Sequence, residues 1–566
     1  MKYIFYQLLP RLFGNDNDKC VKNGSIQQNA CGKMNDITHK TLAEIMKLGV
    51  THIWYTGLLE HATQTDYMRY GIYREHPALV KGKAGSPYAV KDYYDIDPDL
   101  ASQPNRRMRE FEDLVKRTHN ASLKVIMDFI PNHVAREYKS DNTPKEHVPL
   151  GENDNPELNF STQNNFYYIQ EPLQCQFDMQ GDELLPYEEY PAKVTGNNCF
   201  SAHPQRSDWY ETVKLNYGID YSSGGAQYFS PTPNTWNQMR DILLFWIDKG
   251  VDAFRCDMAE MVPCAFWSWV IPQAKERNKD VLFIAEVYNP GLYRQYIHEG
   301  HFDYLYDKVG LYDTLRRITR GESPASSITQ CWQQLDDIHE HMLHFLENHD
   351  EQRIASDFYA SDGDRARAAL IVSSCMNTQP FMVYSGQEFG EKGMDEEGFS
   401  GRDGRTTIYD YWSVKTIREW RNHGKYDGKL LSPASLSLYT FYKKILRVAS
   451  AENAITKGAF FDLMYVNMDN ADFNPCKTYA FLRSYGGEQI LIAVNFDNKE
   501  TCQGIVVPQH AFDCLGWVPG SYTAQELVSD TQFPLALLPE QKIFVSIPAC
   551  SGIILKWNSC NESRRA

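Results

Sequence analysis

Met239-Arg240-Asp241-Ile242-Leu243-Leu244-Phe245-Trp246-Ile247-Asp248, followed after Lys249-Gly250 by Val251-Asp252-Ala253-Phe254-Arg255-Cys256-Asp257, is the stretch from which the fold is read. Its first part carries apolar residues at 239, 242, 243, 246 and 247, the spacing of one helical face. Its second part is a short apolar run that ends on a charged residue, which reads as a buried strand delivering a polar group at its tip.

The same unit recurs on both sides. His52–Tyr55 follows a helix-like stretch, Leu42 to Leu48, that stops at Gly49. Leu123–Met127 follows the amphipathic stretch Met108 to Thr118. Downstream come Val281–Ala285, Phe302–Tyr306, Met342–Leu346 and Phe381–Tyr384. With the N-terminal run around Tyr3–Leu9, the chain holds eight strand candidates separated by helical patterns. Such alternation predicts parallel strands with crossover helices, and eight repeats predict a closed α/β barrel, the (β/α)8 or TIM type. An open doubly wound sheet would favour a Gly-rich phosphate turn after the first strand, and the sequence has none there.

Two regions break the rhythm. From His133 to about Pro231 the chain is polar and rich in Asn, Pro and Tyr, with no helical period, so it reads as a subdomain inserted after the third strand. Beyond about residue 455, Thr478–Arg483, Gln489–Val494 and Lys542–Ile547, with turns such as Gly486-Gly487, read as antiparallel strands of a C-terminal β-sandwich. The expected division is residues 1–133 and 232–455 for the barrel, 134–231 for the insertion, and 456–566 for the sandwich.

Composition narrows the function. A net charge of −16 with no basic run argues against a nucleic-acid partner. No stretch approaches the apolar length of a membrane span. The 13 cysteines form no C-x-x-C pairs, so free thiols in a reducing compartment are expected. Met1–Arg11 mimics a leader briefly but meets Pro10 and Arg11 without a cleavage site, and it reads as the buried first strand. A cytoplasmic protein is the resulting expectation. An acidic chain with 11 Trp, 35 Tyr and 28 Phe also suits sugar binding, because flat rings stack on pyranose faces. No pattern in the sequence sets an oligomeric state.

In a barrel of this kind the active site lies at the C-terminal strand ends. Four of those ends read Asp128-Phe129-Ile130-Pro131-Asn132-His133, Arg255-Cys256-Asp257, Ala285-Glu286-Val287 and Glu347-Asn348-His349-Asp350. Several carboxylates with two histidines and no metal cluster fit glycosidic bond cleavage, in which one acid protonates the departing oxygen and another carboxylate attacks. Arg255 lies two residues before Asp257 and so on the same strand face, where its charge should hold Asp257 ionised and leave Glu286 as the acid.

Taken in order, these four segments resemble the signature regions of the α-amylase family, glycoside hydrolase family 13. Phe5–Arg11, Trp54-Tyr55-Thr56, Tyr88 with Asp92–Pro98, and Gly386-Gln387-Glu388 resemble further family segments, so the likeness spans roughly residues 1 to 455. The resemblance implies Asp257 as nucleophile, Glu286 as acid/base and Asp350 as the third carboxylate. It further implies that His133 and His349 bond the sugar, that Tyr88 stacks on it, and that Arg255 flanks the nucleophile. The implied activity is retaining cleavage of α-glucosidic bonds, α-1,4 in starch-like glucans or maltooligosaccharides, without an organic cofactor. Transglycosylation or disaccharide processing is the alternative, and a non-catalytic glucan-binding or transporter-accessory barrel a remoter one. Many members hold a structural calcium through the Asn equivalent to Asn132 and a His four residues after the nucleophile. That later position is Met261 here, a poor ligand for a hard cation, so calcium at Asn132 is disfavoured. Glu260 stands where many members carry a Lys.

Overall fold

The computed structural model describes residues 2–558 except 176, 178–185, 336 and 400. Eight parallel strands close into a barrel: β1 (Ile4–Leu8), β2 (His52–Tyr55), β3 (Lys124–Phe129), β4 (Ala253–Cys256), β5 (Leu282–Ala285), β6 (Tyr304–Tyr306), β7 (Met342–Phe345) and β8 (Phe381–Tyr384). Neighbours in sequence are neighbours in the barrel, and β8 pairs with β1 to close it. Every residue of β1 is buried, as expected of a run flanked by two partner strands.

The expected elements are present with ends displaced by a few residues. Pairing in β4 begins at Ala253 rather than Val251, and just ahead of it the Asp252 carboxylate meets His119, Lys124 and the Val125 amide. The helix ahead of β4, α1 (Asn234–Asp248), buries Met239, Ile242, Leu243, Trp246 and Ile247, the face predicted by the spacing. Between β4 and β5, α2 (Cys264–Arg277) buries Trp267 completely.

From His133 to Tyr228 the chain leaves the barrel. Its regular structure there is three small antiparallel pairs: His133–Ala135 with Thr212–Lys214, Tyr168–Ile169 with Ala192–Lys193, and Ile219–Asp220 with Ala226–Gln227. No α-helix occurs in this excursion among the described residues.

The C-terminal part forms a six-stranded antiparallel sheet and a two-stranded one. The strands are β9 (Ala459–Asp462), β10 (Thr478–Tyr485), β11 (Glu488–Asn495), β12 (Thr501–Val506), β13 (Gly520–Glu526), β14 (Thr531–Leu537), β15 (Lys542–Ile547) and β16 (Gly552–Asn558). The larger sheet runs β9-β10-β11-β16-β13-β14, while β12 pairs with β15. The Gly486-Gly487 turn joins β10 to β11 with Tyr485 opposite Glu488, a two-residue hairpin in which Gly486 takes φ +59°. Buried Arg483 of β10 ties this sheet to the barrel by donating to the carbonyls of Met376, Ala454, Ile455 and Gly458. No helix among the described residues is long and apolar enough to cross a membrane, and the twelve described cysteines are all free.

Candidate active site

Backbone bonds that extend the barrel ladder fix the two principal acids. The Asp257 amide donates to the Phe129 carbonyl at 2.9 Å, and the Glu286 amide donates to the Cys256 carbonyl at 3.1 Å. Both side chains therefore rise from rigid strand ends rather than from loops.

Arg255 organises what lies between them. It sits beside Asp128 in the β3–β4 register and is completely buried. Its Nη1 donates to Asp257 Oδ1 at 2.7 Å, while its Nη2 lies 2.8 Å from Glu286 Oε2. The second contact is an ion pair, not a hydrogen bond, because no N–H of that nitrogen points along it. Asp128 approaches Nη1 at 3.4 Å and Asp350 approaches Nη2 at 4.0 Å. The rings of Trp54, Tyr88 and Tyr306 surround the guanidinium, with centroids 5.4–5.6 Å away. One cation thus spans both carboxyls, touching Glu286 as well as Asp257.

Other neighbours make the two acids unequal. Burial raises the Glu286 carboxyl, Arg255 opposes this, and the charge of Asp257 raises it again. Burial also raises Asp257, but Arg255 and a hydrogen bond from Glu286 pull it back. Within the pair, the charge of Asp257 raises Glu286 and the hydrogen bond from Glu286 lowers Asp257, which favours Glu286 as the carrier of a shared proton. Glu286 also accepts from the Tyr288 hydroxyl at 2.6 Å and from the Met258 amide at 2.7 Å. Met258 reaches that position with φ +42°, a left-handed conformation uncommon outside glycine and often found at functional sites. Asp350 is pushed up to about 8 by burial first and then by Glu286, although 40% of its side chain is open to the cleft and water moderates the rise.

His349 joins the same cluster. Gln7 donates to its Nδ1 at 2.8 Å, its Nε2 meets the Tyr88 hydroxyl, and that nitrogen lies 3.1 Å from Asp350. Burial and Arg255 hold the ring neutral, so Nε2 carries the proton. Tyr88 stacks on this imidazole, with centroids 5.2 Å apart and planes at 20°. Asp257, Glu286, Asp350, Arg255, His349 and Tyr88 thus form one connected group. His133 stands to its side, against the excursion. It contacts Asn132 at 3.1 Å and the edge of Trp209 at 5.2 Å, and burial lowers it to about 4.

A cavity of about 980 Å³, lined by Glu260, Asn289, Tyr221, Phe229 and Trp269 among others, lies along the segments that follow β4 and β5, and none of the six grouped residues lines it. Glu260 accepts from the amides of Tyr288 and Asn289, fixing the loop beyond β5.

The Asn132 surroundings do not fit a calcium ion. Its Oδ1 accepts from the Lys214 ammonium at 2.8 Å, and its Nδ2 donates to the Gly196 carbonyl at 2.7 Å. Met261 offers only a thioether, whereas calcium takes six to eight oxygen ligands. No group of three His, Cys, Asp or Glu suited to a metal occurs among the described residues.

Sequence reasoning missed Tyr288, Trp209 and Lys214, and gave Asp128 and Gln7 no role. Tyr288 was within reach of it, being two residues after Glu286 and so on the same side of an extended chain. Trp209 and Lys214 lie in the excursion, where no periodicity points to a partner.

The profile of the α-amylase catalytic domain matches residues 7–458. Alpha-amylase 3 of Dictyoglomus thermophilum is 24% identical over 406 residues, covering 66% of this chain and 68% of that protein. The α-1,4-glucan:maltose-1-phosphate maltosyltransferase of Cereibacter sphaeroides is 32% identical over 133 residues, covering 21% of this chain and 22% of that one. The maltogenic α-amylase AmyB of Thermotoga neapolitana superposes with a TM-score of 0.62 at 18% identity, over 98% of this chain and 99% of that one.

Proposed function

This chain belongs to the α-amylase family of glycoside hydrolases, and from that premise we propose that it cleaves α-1,4-glucosidic bonds of starch-like glucans or maltooligosaccharides with retention of configuration. The observation that carries this reading is the guanidinium of Arg255 in contact with both Asp257 and Glu286, with Asp350 at the same mouth. A double displacement needs one carboxyl to attack and a second at the same mouth to protonate, and a single cation touching both fits that arrangement. Glu286, which retains the shared proton, gives it to the bridging oxygen as Asp257 attacks the anomeric carbon. Glu286 then takes a proton from water, and that water releases the sugar. Asp350, His133, His349 and Tyr88 hold the sugar hydroxyls and ring face. We assign residues 134–231 to a second, inserted domain and residues 456–566 to a third. The free thiols fit a reducing compartment, and on that ground we place the chain in the cytoplasm.

Product analysis on starch, pullulan and maltoheptaose tests the reading. Wild-type protein should release short α-configured maltooligosaccharides, and Asp257→Ala should release none while keeping its far-UV circular dichroism. Full activity in that variant would overturn the assignment. Oligomers longer than maltoheptaose would instead point to transfer.

A further inference from the structure

We infer that the cleft is blind at the end that receives the non-reducing side of the glucan, so that the protein shortens chains from their free ends instead of cutting within them. The inference rests on the α-glucan cleavage proposed above and adds to it the mode of attack. The acid fixes the direction. Glu286 protonates the departing oxygen, so the departing chain lies on its side of the site. There Tyr288, whose hydroxyl meets Glu286, has its amide on Glu260, and Glu260 lines the cavity of about 980 Å³. The sugar under attack lies on the other side, among Asp350, His349, Tyr88 and His133. What stands behind these four decides whether another sugar can precede it.

Three loops close that space. Behind His133 stand the Trp209 ring, 5.2 Å away between centroids, and Glu211, the charge that acts on His133 most strongly after burial. Glu211 Oε1 lies 2.5 Å from Lys81 Nζ, and this ion pair joins the excursion to the loop after β2. The loop after β2 is joined in turn to the loop after β8. The Ala84 amide donates to the Tyr409 carbonyl at 3.0 Å, and Gly82 packs so tightly on that carbonyl that a Cβ would lie 2.3 Å from its oxygen. Tyr409 is within electrostatic reach of both Glu211 and Asp350, whose charges add to burial in raising its hydroxyl. The wall therefore runs from His133 round to Asp350. His133 and His349 are each only 3% exposed, as at the bottom of a pocket rather than along a groove. A chain continuing past the attacked sugar would collide with this wall, and a chain end would not.

Two labelled substrates test this on the full chain. Maltoheptaose carrying a chromophore at its reducing end should first give one labelled product, shorter than the substrate by a fixed number of glucose units taken from the free end. The same substrate with its non-reducing end capped by an ethylidene acetal should not be cleaved. Cleavage of capped and free-ended substrates at similar rates, or first labelled products of many lengths, would overturn the inference and leave the proposed activity standing. Failure to cleave either substrate would overturn that activity, and the inference with it. Lys81→Ala combined with Tyr409→Ala should open the wall and admit the capped substrate. A double variant that cleaves the free-ended substrate and still rejects the capped one would overturn the inference. Should the double variant fail to fold, the two wild-type measurements decide alone.

Discussion

Arg255 and Tyr288 both act on the proton balance of Glu286, and a single substitution at Tyr288 tests it. Both the guanidinium and the Tyr288 hydroxyl favour the ionised form of Glu286, the first by charge and the second by a hydrogen bond. Tyr288→Phe removes only the hydrogen bond, so Glu286 should hold its proton to higher pH. The alkaline limb of the kcat/KM profile should then move to higher pH, and a limb that stays or moves down would contradict the geometry. Asp350 gives a second test. Its carboxyl takes up a proton on folding between an unfolded value of about 3.9 and about 8 in the native site. The stability it contributes is therefore complete below that window and is lost as pH rises through it. Asp350→Asn should flatten that fall, raising Tm at pH 8 more than at pH 5, while lowering kcat by roughly 10²–10³-fold. A variant that melts below wild type at both pH values would show the carboxylate to be a stabilising group instead.

At the scale of elements, the barrel was legible because its evidence is local. The barrel strands are short, largely apolar runs, and two of them lead directly into the acids at the mouth, β4 into Asp257 and β5 into Glu286. The excursion was not legible, because pairs of two or three residues carry no pattern and meet across long separations. Asn132 and Lys214 are 82 positions apart, and the loop behind β2 meets the loop behind β8 more than 300 residues away. The double contact of Arg255 was also hidden, since residue spacing shows which face a side chain leaves from and not how far it reaches. The contact between the β2 and β8 loops makes its own prediction. Gly82 has φ +67°, and a Cβ there would lie 2.3 Å from the Tyr409 carbonyl oxygen. Next to it, the Ala84 amide donates to that same carbonyl at 3.0 Å. Gly82→Ala should therefore push the two loops apart, costing about 1–3 kcal/mol in denaturant unfolding and raising KM. An unchanged midpoint and KM would mean that the loops are not packed as described.

For the molecule as a whole, Arg483 is the point at which barrel and C-terminal sheet depend on each other. Its guanidinium satisfies one carbonyl from the helical segment before β8 and three from the chain just ahead of β9. Arg483→Met fills similar volume yet leaves those carbonyls without a donor. The expected loss is about 3 kcal/mol or more, read as a lower urea midpoint and as protease cleavage near residues 456–458. Wild-type resistance to both would show that the two parts are stable independently.

The central claim, attack by Asp257 on the anomeric carbon, is met most directly by trapping. Glu286→Gln protein incubated with 5-fluoro-α-glucosyl fluoride and examined by intact and peptide mass spectrometry should carry one glycosyl group per chain, on the peptide and residue of Asp257. Glycosylation at another side chain, or release of β-configured sugar by the wild-type enzyme without any trapped species, would contradict the account.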